Sequence, residues 1–436
     1  MTTIAEGQRV EIDHVGSLDD VVRGQAVCCI EAVGPVPNEM LFYFEYFRKG
    51  AANAIFKIRP WSSLSSCTKP FMLIQDVRCG ANGHYTGIPL SRQAVMNRVL
   101  RVPRGKPKCL SGREIISGFE ETIRPLFTFG RTSMSVGSNF VSSIHVKQPQ
   151  VQVPQVDLAK HLMNHEAVVL FPAVMAHLIA QTESGTLERS ESDTTHHPLA
   201  SERWAMFLPD MSSVPNASIT LEIKPKWLLQ SPNAPKDALR CRTCAMQIAV
   251  PKDRKTYICP LRLVHGASKD IRPWLETNIT QLLHHTVEQI PPPSLVSSIV
   301  ENLLDYLSEG DGQTLLQHLK TLQNELDPLG VLNQSHVYPS DSFDHNLRVA
   351  MTLRDCSLFI NVPYNVDKVA SSQITSRLGD LDFKSAEKIE DWKKKEIFLS
   401  KDSLYTKEVD DDLGCWLRQV QQSQTQDTRD RRPNSN

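Results

Sequence analysis

Ser218 to Ile223 alternates polar with apolar residues, the period of a half-buried strand, and Pro225 then ends it because proline offers no N–H to a neighbouring strand. The strand delivers Glu222, Lys224 and Lys226 to its mouth at two-residue spacing, which on an extended backbone puts them on one face. Two ammonium groups so placed repel unless an anion lies between them. Phosphate is a natural partner, since each lysine brings a compact charge with three donors. The plain alternative is a solvated strand end.

The residues that follow favour a site. From Lys224 to Arg262 the chain carries Lys224, Lys226, Lys236, Arg240, Arg242, Lys252, Arg254, Lys255 and Arg262 against only Asp237 and Asp253. The whole chain is nearly neutral, with 48 Lys+Arg and 49 Asp+Glu, so this positive charge is local. With 436 residues there is room for two domains, and 40% hydrophobic with 22% charged residues is the composition of an ordinary soluble protein. The N-terminal stretch has neither a basic n-region nor an apolar core, so no export is expected. The most apolar run, Ala167 to Ala180, is interrupted by Pro172 and His177 and is too short to span a bilayer, so no membrane association is expected. Ten scattered cysteines fit free thiols in a reducing compartment, nucleus or cytoplasm.

Taken in order, residues 1–37 read as an N-terminal extension ending in Gly34-Pro35-Val36-Pro37. Residues 38–208 read as a first lobe. In it Leu41 to Arg48 is a strand, Gly50-Ala51-Ala52-Asn53 a tight turn, and Ala54 to Ile58 the return strand. Small side chains at such a tip let backbone N–H groups approach phosphate oxygens, although a turn and nothing more is the bland alternative. Residues 60–92 sustain no period and read as an inserted loop. Arg98 to Val102 reads as a strand carrying Arg101, a structural charge or a ligand contact, and helical spacing runs from Cys109 through Ile123. Val146 to Pro154 reads as extended, Asp157 to Ala180 as helical with a break at Pro172, and Trp204 to Leu208 as a strand closed by Pro209-Asp210. The paired His196-His197 read as exposed loop.

Residues 209–415 read as a second lobe. Leucines from Leu303 to Leu322 recur at helical spacing and mark a buried face. Asp355 interrupts the apolar run Met351 to Ile360, and such a charge needs a partner or a job. Asp380 and Asp382 stand two apart on an extended segment and suit Mg²⁺, or are a solvated turn. Beyond them Lys384, Lys388 and Trp392 fall at four-residue spacing on one helix face. Residues 416–436 are polar and read as a disordered tail. Cys241-Arg242-Thr243-Cys244, with Cys259 and His265 downstream, makes a structural zinc conceivable, but one close pair does not make four ligands and free buried thiols are the expectation.

In this order the motifs resemble the inositol-pentakisphosphate 2-kinase family, most of all its fungal members. The matching residues are GAAN (Gly50 to Asn53), the strand with Arg101, LPD (Leu208 to Asp210), EIKPK (Glu222 to Lys226), CRTCAMQ (Cys241 to Gln247), CPL (Cys259 to Leu261), MTLRDCS (Met351 to Ser357) and DLDFK (Asp380 to Lys384). The resemblance implies ATP- and Mg²⁺-dependent phosphorylation of the 2-hydroxyl of inositol 1,3,4,5,6-pentakisphosphate to give the hexakisphosphate. It also implies an α+β, two-lobed fold distantly similar to protein kinases, here expected to act as a monomer.

Carried over by position, Gly50, Ala51, Ala52, Asn53, Arg101, Asp210, Glu222, Lys224 and Arg272 would hold ATP. Lys226, Arg242, Lys384, Lys388 and Trp392 would hold the inositol phosphates. Asp355 would be the base on the hydroxyl with Lys224 beside it in catalysis, Asp380 the main magnesium ligand and Asp382 a second one. Met246 and Val250 replace a histidine and a lysine common in the family, so Lys252 or Lys255 is expected to substitute, and Arg189 is the nearest candidate for a further substrate arginine. A silent inositol-polyphosphate-binding module would keep the binding and lose the turnover. Nucleic-acid binding is disfavoured, because aromatics are not interleaved with the cations and the net charge is near zero.

Overall fold

The aromatic-rich segment from Phe42 and its partner beyond the Gly50 turn pair as expected. In the computed structural model they form β3 (Phe42–Lys49) and β4 (Asn53–Pro60), antiparallel from Phe42 opposite Pro60 to Lys49 opposite Ala54. The structure describes residues 8–12, 26–32, 36–50, 52–62, 69–80, 84–128, 156–184, 203–250, 256–286, 291–332, 340–364, 373–408 and 414–420. The chain is α+β and divides into two compact units, one of residues 1–120 and 163–210, the other of residues 121–162 and 211–436.

The first unit is built on a nine-stranded sheet, in the order β1-β6-β5-β2-β8-β9-β7-β4-β3. Its remaining strands are β1 (Val10–Ile12), β2 (Val27–Glu31), β5 (Phe71–Cys79), β6 (Tyr85–Pro89), β7 (Arg98–Pro103), β8 (Glu166–Leu170) and β9 (Trp204–Pro209). β3 returns to β5 through Phe42 opposite Phe71, which closes the strands from β5 round to β3 into a barrel. Phe42, Phe44, Phe56 and Phe71 fill it, each at most 1% exposed and each contributing about 2 to 3 kcal/mol of burial. Helix α1 (Arg92–Val95) is one turn. In α2 (Gly112–Gly118) a Ser111/Glu114 capping box satisfies the first N–H groups, and Gly112 is required because a Cβ there would meet the Trp204 carbonyl oxygen at 2.2 Å. Helix α3 (Pro172–Ser184) packs on β2 and β3, with Gln181 Nε2 donating to the Phe44 carbonyl at 2.6 Å.

Three expectations are corrected here. Residues 1–37 are not a mere extension, since β1 and β2 belong to the sheet and β2 lies between β5 and β8. Residues 60–92 are not a structureless loop but hold β5 and β6, whose alternation a register shift between Gln75 and Arg78 obscures. The apolar run around Pro172 is strand and then helix: β-branched Val168 and Val169 extend, and the proline opens α3, where a missing N–H costs nothing. Val146 to Pro154 and His196-His197 lie outside the described residues.

The second unit carries β10 (Ser218–Ile223), β11 (Ser357–Pro363) and β12 (Thr375–Gly379) as an antiparallel sheet with β11 central. Around it stand α4 (Arg242–Ala249), α5 (Pro260–His265), α6 (Ser268–Thr286), α7 (Pro293–Ser308), α8 (Asp311–Leu326), α9 (Ser340–Asp355) and α10 (Ile389–Lys401). Leu303, Leu304 and Leu307 of α7 and Leu315, Leu316, Leu319 and Leu322 of α8 are at most 2% exposed, the buried face that their spacing predicts. Residues 416–420, placed in the expected tail, are helical, and those beyond lie outside the described residues. Among the described residues no helix is long and apolar enough to cross a membrane.

Candidate active site in the second unit

The antiparallel register of the small sheet assembles the site. Ile223 of β10 lies opposite Leu358, and Ser357 lies opposite Gly379, so the end of β10, the start of β11 and the end of β12 share one edge. Glu222, Lys224, Ser357 and Asp380 therefore meet. Lys224 Nζ donates to Ser357 Oγ at 2.7 Å and forms ion pairs with Glu222 Oε1 at 3.1 Å and Asp380 Oδ2 at 3.5 Å. Ser357 Oγ lies 2.9 Å from the Glu222 carboxylate and 3.2 Å from that of Asp380, one of which takes its hydrogen. Burial draws the Lys224 ammonium down, but Glu222 and Asp380 outweigh it and raise its pKa.

Asp355 ends α9 one residue before Cys356 and β11. Its Oδ1 accepts from Lys226 at 3.0 Å and its Oδ2 from Lys384 at 2.8 Å. Burial pushes this carboxyl up, yet the two lysines more than compensate and hold it well below the usual carboxylate range. Lys226 and Asp380 both have φ of +54°, the left-handed region that side chains with a Cβ avoid. At Lys226 the strain is held from α8, where buried Gln323 donates to the Lys226 carbonyl at 2.9 Å and accepts from the Leu228 N–H at 3.0 Å. This turn interrupts the extended geometry expected through Lys226. Instead of sharing one anion, Lys224 serves Glu222 and Asp380, and Lys226 serves Asp355.

Beside these groups opens a cavity of about 720 Å³, lined by the cations Lys224, Lys226, Arg242, Arg354, Lys384, Lys388 and Lys395 and by the acids Glu222, Asp355 and Asp391. Arg242 Nε donates to Glu396 at 2.7 Å, and its guanidinium lies 4.3 Å from the centre of the Trp227 ring, where Arg354 also stands at 3.5 Å. Arg354 in turn donates to Asp327 at 2.5 Å. Trp392 lines the cavity with one part and packs against Val331, Leu347 and Ile389 with another, as its 7% exposure requires.

The cavity brings together Glu222, Lys224, Lys226, Arg242, Asp355, Lys384, Lys388 and Trp392, and Asp380 joins through Lys224 and Ser357. Asp382 lies off the lining, its carbonyl accepting from Thr352 at 3.4 Å. Arg272 also lies off it and makes a two-pronged ion pair with Glu301 at 2.6 and 3.0 Å between α6 and α7. Arg354 and the Ser357 hydroxyl were not singled out from the sequence, whereas Lys395, one turn beyond Trp392 and Asp391, ends the run of cations from Lys384 expected to face the substrate. Lys252, Lys255 and Arg189 lie outside the described residues.

In the first unit the Gly50 N–H donates to the Asn53 carbonyl at 2.8 Å, closing the small-residue turn, and the Ala52 carbonyl accepts from the Arg104 N–H at 2.8 Å. Ala51 lies outside the described residues. Arg101, 4% exposed, points both Nε and Nη2 at the Asn53 side-chain amide, whose oxygen accepts from them at 3.2 and 2.6 Å once the amide is turned to face the guanidinium. Asp210 follows β9, its N–H on the Asn97 carbonyl at 2.7 Å and its carboxylate 3.7 Å from Lys57.

A basic cavity with one carboxylate gripped by two lysines, and a second lysine–carboxylate knot beside it, has the chemistry to attract a strongly anionic ligand. The family model for inositol-pentakisphosphate 2-kinase matches residues 46–397, which include nearly all of these groups, and the chain belongs to that family. It is also 34% identical over 191 residues to the inositol-pentakisphosphate 2-kinase of Yarrowia lipolytica (strain CLIB 122 / E 150). That match takes in 44% of this chain and 55% of the relative, so the chain spans about half the length of the curated relative it matches.

Proposed function

We propose that this protein transfers a phosphoryl group from ATP to the 2-hydroxyl of inositol 1,3,4,5,6-pentakisphosphate, giving the hexakisphosphate. The observation that carries the reading is the Asp355 carboxylate held between Lys226 and Lys384 at the edge of a cavity lined by five further cations. A substrate with five phosphates brings about 1.5 to 2 negative charges per group and calls for such a lining. Lys226, Arg242, Lys384, Lys388 and Trp392 are the proposed contacts, Arg242 through whatever donors its Glu396 pair leaves over. Asp355, kept ionised by its lysines, orients the hydroxyl and accepts its proton late, as a loose transition state allows.

The small-residue turn at Gly50, Ala52 and Asn53 suits close approach of phosphate oxygens, and these residues, Ala51, Arg101, Asp210, Glu222 and Lys224 are the proposed ATP contacts. Arg272 is left out, since Glu301 occupies its guanidinium. Asp380 fits Mg²⁺: its half-exposed carboxylate already sits beside Lys224 and Ser357, and a cation there would neutralise phosphate charge. Asp382 fits less well, being off the cavity wall. The chain divides into two compact units, and their reading as two lobes distantly like those of protein kinases belongs to this proposal. A monomer in the nucleus or cytoplasm completes it.

The test is phosphate transfer from ATP and Mg²⁺ to inositol 1,3,4,5,6-pentakisphosphate by the wild-type chain and by Asp355→Ala. Hexakisphosphate formed by the first and not by the second is the expected result. Tight substrate binding without turnover by the wild type would instead make the protein a silent binding module.

A further inference from the structure

Four cysteines from three distant parts of the second unit converge on one point. Cys241 and Cys244 flank the start of α4, Cys259 precedes α5, and Cys415 arrives 174 residues after Cys241. Their sulfurs all lie within 4.8 Å of one another, and none of the four residues is more than 5% exposed. His265, the fourth partner conceivable from sequence, is not in the group and stacks on Trp416 instead. We propose that Cys241, Cys244, Cys259 and Cys415 hold a structural zinc ion that pins one wall of the basic cavity.

The spacing of the sulfurs suits a shared ion. A tetrahedral zinc site with Zn–S bonds of about 2.3 Å has edges of about 3.8 Å, and Cys241 Sγ lies 3.8 Å from Cys259 Sγ. Tetrahedral four-sulfur sites select zinc or iron–sulfur centres over the harder cations. Donors already point at the sulfurs: the Cys241 N–H at Cys415 Sγ (3.3 Å), the Cys244 N–H at Cys241 Sγ (3.5 Å), and the Tyr257 hydroxyl stands 3.0 Å from Cys244 Sγ. Such outer bonds orient metal-bound thiolates and spread their charge.

A second observation concerns that charge. Loss of four thiol protons to solvent on binding Zn²⁺ leaves the centre with a net charge of two minus. The Arg262 guanidinium lies against Gly414, next to Cys415, with Nη2 at 2.8 Å from the position a Cβ on that glycine would take. Its buried Nε and Nη2 have no hydrogen-bond partner among the described residues. Buried guanidinium donors without acceptors are costly unless an anionic group balances the charge, and a tetrathiolate centre does so.

The site would act on the cavity through the segments it ties together. Arg242, Met246 and Gln247 line the cavity from α4, and Tyr257, Ile258 and Pro260 line it from the segment around Cys259. Cross-linking Cys244 to Cys259 closes the connection between them, and Cys415 adds the last described stretch of chain.

The experiment takes the untagged full-length chain, purified under reducing conditions, and measures metal by elemental mass spectrometry. One zinc per chain is expected, with Co²⁺ exchange producing the intense sulfur-to-cobalt charge-transfer and ligand-field bands of a tetrahedral four-thiolate site. Cys415→Ser should weaken zinc binding at least about a hundredfold in chelator competition, while Cys79→Ser, at an exposed cysteine of the first unit, keeps the full complement. A folded wild-type chain whose thiols titrate as reduced and which takes up neither Zn²⁺ nor Co²⁺ overturns the proposal. So does full zinc affinity in Cys415→Ser. Should the variant fail to fold, the wild-type metal content and cobalt spectrum decide, and neither depends on kinase activity.

Discussion

Arg242 and Glu396 meet in an ion pair 2.7 Å long whose carboxylate is wholly closed to solvent. The other Glu396 oxygen accepts from Ser231 at 2.8 Å and from Tyr405 at 2.5 Å, so both carboxylate oxygens are engaged. Removing the acid strands a buried guanidinium beside a second one, Arg354, over the same indole. Glu396→Ala is expected to cost about 3 to 5 kcal/mol of stability, read as a lower urea midpoint, and an unchanged midpoint would refute this account of the cavity floor.

If the proposed reaction holds, Asp355 is the residue at which binding and chemistry should come apart. Asp355→Asn leaves a shape-matched amide but removes a negative charge from a cavity lined mostly by cations. Turnover should fall by about 10² to 10⁴, while affinity for the pentakisphosphate holds or rises. Parallel losses in both, measured by single-turnover kinetics and calorimetry, would show Asp355 to be a structural clamp for Lys226 and Lys384.

Gln323 is the predicted weak point remote from the ligand. Gln323→Leu keeps the volume in α8 but leaves the Lys226 carbonyl and the Leu228 N–H unpaired, at a cost of about 1 to 3 kcal/mol. With Lys226 released from its left-handed turn, KM for the inositol phosphate should rise more than kcat falls. A stability loss with unchanged KM would show that the turn keeps its shape without the amide.

Acid should weaken the second unit before Asp355 titrates. His161, whose Nδ1 is 2.9 Å from Ser376 Oγ and which faces Asp311, Lys160 and Arg377, has its pKa lowered by burial first and by Lys160 next. His318, 2.8 Å from the Leu126 carbonyl, is lowered by burial. The unfolded chain then binds more protons between the ordinary histidine pKa of 6.5 and the folded values, so stability is full above that pH and is lost as pH falls through the window. His318→Gln, which can still donate to Leu126, should flatten the decline in denaturation midpoint below pH 6.5. Asp355, with its pKa depressed, adds its own loss only in far stronger acid.

The sequence made the elements near the site readable where periodicity was clean. The alternation of β10 and the proline after it are real, as is the leucine face of α7 and α8. What could not be read was the turn at Lys226, because two-residue alternation presumes an extended chain and one left-handed residue cancels it. Ser357 stood in the MTLRDCS motif without a readable role, since its value lies in a register shared with β10 and β12. Cys415 is remote from the C-x-x-C pair and obeys no spacing rule, so only the folded chain brings it there. The strands in residues 60–92 were hidden by Gly, Ser and Pro, which report on turns and say little about the short runs between them.

The division of the chain also bears on how the protein is made. Residues 121–162 emerge from the ribosome between two halves of the barrel unit, yet their partners belong to the other unit: His318 for Leu126, Asp311 for Lys160, and Ser376 for His161, 192, 151 and 215 residues later. Phe127, Leu158 and Leu162 are thus synthesised long before the surfaces that bury them. At about 5 to 20 residues per second that delay lasts roughly ten seconds or more, during which these apolar side chains lack the surfaces that later bury them.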